Sequence, residues 1–314
     1  MRAMILAAGL GTRMGSLSRL RAKPALPVLG RPVLAWLLEL LSHHGVEEVC
    51  INLHHLPETV EEAVEGFAPP NLSIVYSREA DPLGTGGGIA GARDFLAASD
   101  PSIVLAGDMI LDCDLSGLIA QHREARSAAT LLMAQPSPER ADYGTLGIAD
   151  DGALRRIADR FDLGGESASG LFVGVRLLSP GVFDDLPQRP TGTPFEDLSD
   201  WWAPLLAGGR RDIRGHFALP EKLVWQPVGT PAEYLEANLA LPALSFIDEA
   251  DRLVPGTRVL DRDQLVLGAE AELADGARLR RCVVWEGERV PADLIAEEGI
   301  FAGDAFHSCR ALNR

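Results

Sequence analysis

Apolar positions fall into two rhythms along the first half of the chain. Short β-rich runs alternate with stretches in which apolar residues recur every three or four positions. Residues 4–8 predict a first strand. Residues 32–44 predict a helix, with Val33, Leu34, Leu37, Leu38 and Leu41 along it and Gly45 where a helix end favours positive φ. The theme repeats as a strand over 48–53, a helix over 57–65, and strands over 72–76 and 103–106. Such alternation predicts an α/β fold, a doubly wound sheet with helices on both faces. Beyond residue 130 the pattern loosens into β-rich segments at 145–148, 154–157 and 171–178, with an Asp150-Asp151-Gly152 turn, so the sheet is expected to be mixed but mostly parallel. Thr230-Pro231-Ala232-Glu233 has the form of a capping box and opens a helix that Pro242 ends.

After residue 245 the rhythm changes. Leu267, Leu273 and Leu279 recur every six residues, and Val284 and Val290 continue the interval after one irregular step, with Gly268, Gly276 and Gly287 between them. A six-residue repeat turns one apolar side chain inward per side of a coil, which predicts a short left-handed β-helix-like appendage of about two coils. The expected division is one large domain over 1–245 and a C-terminal β-rich, hexapeptide-like appendage over 246–314. The open end of such a coil is expected to support homo-oligomer formation rather than chemistry.

Composition narrows the function. A chain of 314 residues, 46% of them hydrophobic, can bury a sizeable core. Cys50, Cys113, Cys282 and Cys309 lack metal-ligand spacing and suit a reducing compartment. The apolar run after Arg2 breaks at Gly9, too short for a signal peptide or a membrane span, so the expectation is a cytoplasmic protein with no membrane partner. A formal charge of −16 argues against nucleic acid. A small anionic ligand remains open, because Arg13, Arg19, Arg21 and Lys23 crowd one early segment.

That segment carries the candidate chemistry. Leu6-Ala7-Ala8-Gly9-Leu10-Gly11-Thr12-Arg13 follows the first strand, and Lys23-Pro24 comes ten residues after the arginine. A strand entering a glycine-rich turn lets backbone N–H groups approach a phosphate. An arginine and a lysine flanking the same loop would neutralise a polyphosphate. Asp108, just after the apolar strand 103–106, stands at the carboxyl end of a sheet strand, where open α/β sheets place ligands. Asp112 and Asp114 read as turn and helix-start residues. The adjacent His54 and His55 read as loop packing, and Trp201-Trp202 as a core anchor.

On these residues the chain resembles the sugar-1-phosphate nucleotidyltransferases, whose signature runs G-x-G-T-R and then K-P. The likeness continues through Pro82-Leu83-Gly84-Thr85-Gly86-Gly87-Gly88, Gly107-Asp108, Tyr143-Gly144, Phe172-Val173-Gly174-Val175 and Val228-Gly229-Thr230-Pro231. The glycine turn is similar to that of mannose- and heptose-1-phosphate guanylyltransferases and to that of N-acetylmuramate-1-phosphate uridylyltransferases. The resemblance implies a Rossmann-like nucleotidyltransferase fold that forms an NDP-sugar and pyrophosphate from a nucleoside triphosphate and a sugar 1-phosphate. It implies nucleotide contacts from Leu6, Ala7, Ala8, Gly9, Gly11, Thr12 and Arg13 and from Gly84, Thr85, Gly86, Gly87 and Gly88. Arg13, Lys23 and Asp108 would be catalytic, and Asp108 would bind Mg²⁺. Gly144, Asp159, Arg160 and Gly174 would contact the sugar phosphate.

Two departures stand out. The family's aspartate-x-glycine-threonine motif is Pro227-Val228-Gly229-Thr230 here, which removes a second metal carboxylate, and its glutamate-lysine-proline segment is Asp159-Arg160-Phe161. Two alternatives therefore stay open: a non-catalytic subunit that binds nucleotide sugars, and a cytidylyltransferase for a phosphorylated alcohol.

Overall fold

The computed structural model describes every residue except 141, 142, 261, 263 and 311–314. Its largest sheet runs, from one edge, Phe161–Asp162, Leu154–Ile157, Thr145–Ile148, Ala168–Leu178, Ser102–Ala106, Arg2–Leu6, Glu48–Leu53 and Ser73–Arg78; Ala129–Ala134 pairs with Ala168–Leu178 and Ile213–Phe217. Arg2–Leu6 lies parallel to both Glu48–Leu53 and Ser102–Ala106, and Glu48–Leu53 is parallel to Ser73–Arg78. Ala168–Leu178 runs antiparallel to its neighbours. This is the mixed sheet the sequence predicts.

Period-two alternation places one strand in two cores. Ala3 and Ile5 pack in one with Leu34, Leu37, Val60 and Leu118, while Met4 packs in the other with Ile89, Leu96, Trp201 and Trp202. Both faces are therefore covered, as a parallel sheet requires. Trp201 and Trp202 stack at 3.9 Å between ring centroids in the second core, which bears out the anchor reading. The first strand ends at Leu6, two residues before the predicted end. The Ala7 N–H leaves the ladder and donates instead to the Asn52 side chain at 2.7 Å.

The helix after Pro32 spans Val33–His43. Pro231–Ala240 forms the capped helix, where Thr230 Oγ1 accepts from the Glu233 N–H at 3.3 Å. Asp114 caps the helix Leu115–Glu124 through the Gly117 N–H, and the buried Asp112 holds the Ser245 N–H and hydroxyl. Residues 84–88 form more than a turn, since Gly84–Gly91 is helical.

In the C-terminal region Leu265–Leu267, Arg278–Val284 and Ile295–Ala302 pair in parallel, and Glu272–Leu273 pairs in parallel with Arg289–Val290. Leu267, Val284 and Phe301 stack in register, as do Leu273 and Val290. Stacked positions lie seventeen residues apart, one fewer than three six-residue sides. The irregular step before Val284 is therefore the short side of each coil. These stacked residues form their own apolar interior, giving the β-helix-like appendage the repeat predicts.

Candidate active site

A cavity of about 450 Å³ opens at the carboxyl ends of Arg2–Leu6 and Ser102–Ala106. Leu6, Ala7, Ala8, Gly9, Gly11, Arg13 and Lys23 line one wall, and Asp108 stands opposite the lysine. Lys23 Nζ lies 3.2 Å from Asp108 Oδ2, with the lysine side chain 10% exposed and the carboxylate 39%. Among the described residues Arg13 has no ion-pair partner, so its exposed guanidinium is free to meet an anion. Thr12 opens the short helix Thr12–Arg19 but is not among the lining residues. One carboxylate, one buried ammonium and one free guanidinium thus line the same cavity.

Behind the loop lies a polar brace that the sequence reading passed over. Asn52 holds the Ala7 N–H through its oxygen, and its Nδ2 donates to Glu79 Oε1 at 2.7 Å. Glu79 Oε2 in turn accepts from the Leu83 N–H at 3.0 Å. Asn52 and Glu79 therefore tie the glycine-rich loop after the first strand to the start of the glycine helix. The available signal was a buried polar residue at the carboxyl end of a parallel strand.

Gly84 and Thr85 line the cavity, whereas Gly86, Gly87 and Gly88 are buried behind it. A Cβ on Gly86 would meet the Phe195 ring at 2.3 Å, and one on Gly88 would meet Asn52 Nδ2 at 2.8 Å. These two glycines let the helix press onto its supports. Thr85 Oγ1 bonds both Glu196 and Asp197 at 2.7 Å. Asp197 is fully buried and paired with Arg176, which itself lines the cavity. Burial alone would raise the Asp197 carboxyl. The Arg176 guanidinium, with hydrogen bonds from Thr85 and Trp202, outweighs that and holds it below the usual carboxylate range.

The other side of the cavity is walled by Tyr143, Phe172, Val173, Gly174, Trp225 and Pro227. Gly174 has φ +83° at an irregularity of its strand, with Ala106 so close that a Cβ would sit 2.9 Å from it. Tyr143 meets Trp225 edge-on at 5.2 Å, and the Arg140 guanidinium lies 4.7 Å over the Trp225 ring. Tyr143 donates its hydroxyl to Glu233, which also accepts the Gly229 N–H at 2.9 Å. Burial and that carboxylate push the phenol well above its ordinary pKa, so it stays protonated. Val224–Pro227 pairs antiparallel with Met109–Asp112, setting Pro227 opposite Met109 and beside Asp108. The position of the missing carboxylate is thus next to Asp108 and carries no side-chain ligand atom.

Asp159 and Arg160 are exposed in the turn after Leu154–Ile157, and neither lines the cavity. Gly144 is exposed beside Tyr143 and outside the lining. His54 Nδ1 contacts the Glu79 carbonyl and His55 Nε2 the Ser18 carbonyl, in keeping with loop packing.

The family model described as nucleotidyl transferase matches residues 2–243. A mannose-1-phosphate guanylyltransferase from Mycobacterium tuberculosis is 28% identical over 308 residues, covering 94% of this chain and 82% of that protein. A UTP–glucose-1-phosphate uridylyltransferase from Synechocystis is 28% identical over 248 residues, covering 76% of this chain; the match spans 62% of the relative's length. The crystal structure of HddC from Yersinia pseudotuberculosis, also solved as a complex with GMP-PN, superposes with a TM-score of 0.61 at 25% identity, over 76% of this chain and 97% of that one.

Proposed function

This chain belongs to the nucleotidyl transferase family, and from that premise we propose that it joins a nucleoside triphosphate to a sugar 1-phosphate and releases pyrophosphate. The observation that carries the reading is the Lys23–Asp108 pair facing a free Arg13 across the glycine loop. An oxygen of the sugar phosphate attacks the α-phosphorus, the bond to the bridging β-phosphate oxygen breaks, and its electron pair leaves with pyrophosphate. The nucleophile is already anionic, so no protein base is needed. Lys23 and Arg13 stabilise charge as it moves, while the loop amides hold the reactants in line.

The family is generally dependent on divalent metal ions. The donor set here fits Mg²⁺ in its one-carboxylate mode: Asp108 offers a hard oxygen at the cavity wall, and this ion commonly completes its shell with substrate phosphates and water. Asp108 would hold it, and when bound it adds charge neutralisation at the phosphates.

Guanosine triphosphate stands ahead of uridine triphosphate in this reading. The guanylyltransferase match runs through the C-terminal residues, whereas the uridylyltransferase match covers 76% of the chain. Pro227 favours a second reading, a nucleotide-sugar-binding subunit without turnover. Pyrophosphate release across pairs of triphosphates and sugar 1-phosphates, with and without Mg²⁺, separates the two. No release from any pair, with retained binding of a nucleotide sugar, would establish the second reading.

A further inference from the structure

The stretch between Arg13 and Lys23 is gripped by the C-terminal region. Arg21 is paired with Glu286, and its guanidinium lies 4.7 Å over the Trp285 ring. That ring is fixed in turn, because Trp285 is 5% exposed and its Nε1 donates to the Tyr234 hydroxyl at 3.0 Å. Tyr234 donates onward to the Pro27 carbonyl at 2.6 Å. A second grip is made by His307, whose Nδ1 lies 2.6 Å from Ser16 Oγ and whose Nε2 lies 3.0 Å from the Ala302 carbonyl. Leu20 rests on the tight turn at Gly303, where an added Cβ would come within 3.0 Å of its side chain. Glu288 holds that turn by accepting from the Gly303 and Asp304 N–H groups at 2.6 and 3.1 Å.

We infer that the C-terminal β-helix-like region positions the triphosphate-binding loop, with Arg21 and Glu286 as positioning residues that act through Lys23 and Arg13. Arg21 does not line the cavity, and its guanidinium is committed to Glu286 and Trp285. Its role is to fix the backbone two residues before Lys23, whose ammonium must stay within reach of Asp108. A displacement of about 1 Å at a charge-stabilising group is enough to lose much of its effect. The appendage thus takes part in ligand binding, beyond the self-association that its repeat alone implies.

The inference rests on the reading that this loop holds a triphosphate, so the test has one arm independent of turnover. Glu286 is 44% exposed, and Glu286→Ala leaves the core untouched. Amide hydrogen exchange of ligand-free wild type and Glu286→Ala should show faster exchange over residues 12–23 in the variant. In turnover assays the KM for the triphosphate should rise roughly threefold to tenfold in Glu286→Ala, the range expected for losing a partly exposed ion pair that orders a loop. The KM for the sugar phosphate, which the ring-lined wall also holds, should rise less than that for the triphosphate. Arg21→Lys, which keeps the charge and loses the planar fork, should act in the same direction. Coulomb attraction alone predicts the opposite sign, since removing a carboxylate near a polyanion site strengthens anion binding. Unchanged exchange over 12–23, or an unchanged or lower triphosphate KM in Glu286→Ala, overturns the proposal. Should no substrate pair release pyrophosphate, calorimetric binding of inorganic tripolyphosphate replaces KM, and unchanged or tighter binding overturns it equally.

Discussion

On the side we propose for the nucleotide, the cavity is a loop of backbone amides backed by committed polar groups, with Asn52, Glu79 and Thr85 each holding a neighbouring segment in place. On its acceptor side it is walled by Tyr143, Phe172 and Trp225, with Pro227 where a ligand carboxylate is expected. The two sides solve different problems. A triphosphate is recognised by charge and by amide geometry, both of which demand fixed donors. In the proposed assignment an acceptor walled by rings is recognised by shape, while its phosphate draws on Lys23 and Arg13 of the other side. The contrast predicts that substitutions on the first side lower turnover and that those on the second side mainly alter acceptor affinity.

The seam between the sides should show the largest effect. Arg176 and Asp197 are buried together, and Asp197 also holds Thr85. Breaking a buried pair by removing one partner leaves an uncompensated charge, so Asp197→Ala should lose about 3–5 kcal/mol of stability. Denaturant unfolding checks it, and a loss under about 1 kcal/mol would mean the pair is not load-sharing between the sides. The Asp197 carboxyl is depressed in the folded state, so its contribution is present above the ordinary carboxylate pKa and is lost as pH falls through the folded value. The acid limb of the wild-type stability curve should therefore flatten in Asp197→Asn.

Next in size come the charge-stabilising groups. Lys23→Ala should lower turnover about 10²-fold, as for loss of one preorganised electrostatic donor, and Arg13→Ala and Asp108→Asn at least about tenfold each. Pyrophosphate release by variants shown to be folded is the measurement. Wild-type turnover in Asp108→Asn at saturating Mg²⁺ would remove Asp108 from the metal role.

The acceptor side should respond more mildly. Trp225→Ala removes the edge-on contact with Tyr143 and the Arg140 stack, and should raise the KM for the sugar phosphate about twofold to tenfold, leaving the triphosphate KM nearly unchanged. Pro227→Asp should leave turnover unchanged or raise it severalfold, because Mg²⁺ tolerates either shell. Activity that exists only in Pro227→Asp would instead make the native chain a binding protein.

Much of the scaffold was legible in the order of residues because its signals are local. Apolar periodicity marked the strands and helices, Thr230 and Glu233 marked a helix start, and the six-residue interval through Leu267, Leu273 and Leu279 marked the coil. The short side of each coil appeared even as the irregular step before Val284. What stayed hidden was non-local. Gly86 is small because Phe195, more than a hundred positions away, presses on it. Arg21 reads as one cation among four until Trp285 and Glu286 are seen beneath it. Asn52 carries no motif of its own, and only the parallel pairing of its strand with Arg2–Leu6 brings it to the Ala7 N–H.

The smallest effect is expected at Asp159 and Arg160, which the family resemblance aligns with a sugar-phosphate grip. Both side chains are exposed in the turn that follows Leu154–Ile157, and the cavity wall contains neither. An exposed arginine in water adds little to the binding of a phosphate it does not touch, since solvent and salt screen it to well under about 1 kcal/mol. Arg160→Ala should therefore change the KM for the sugar phosphate less than about twofold and leave turnover alone. The salt dependence sharpens the point. If the acceptor phosphate relies on Lys23 and Arg13, its KM should rise with ionic strength to the same degree in wild type and Arg160→Ala. A KM raised more than about fivefold in Arg160→Ala, with a shallower salt dependence, would mean that the turn folds over the bound acceptor and supplies a cation. The acceptor side would then own its phosphate grip, and the division of labour across the cavity would have to be redrawn.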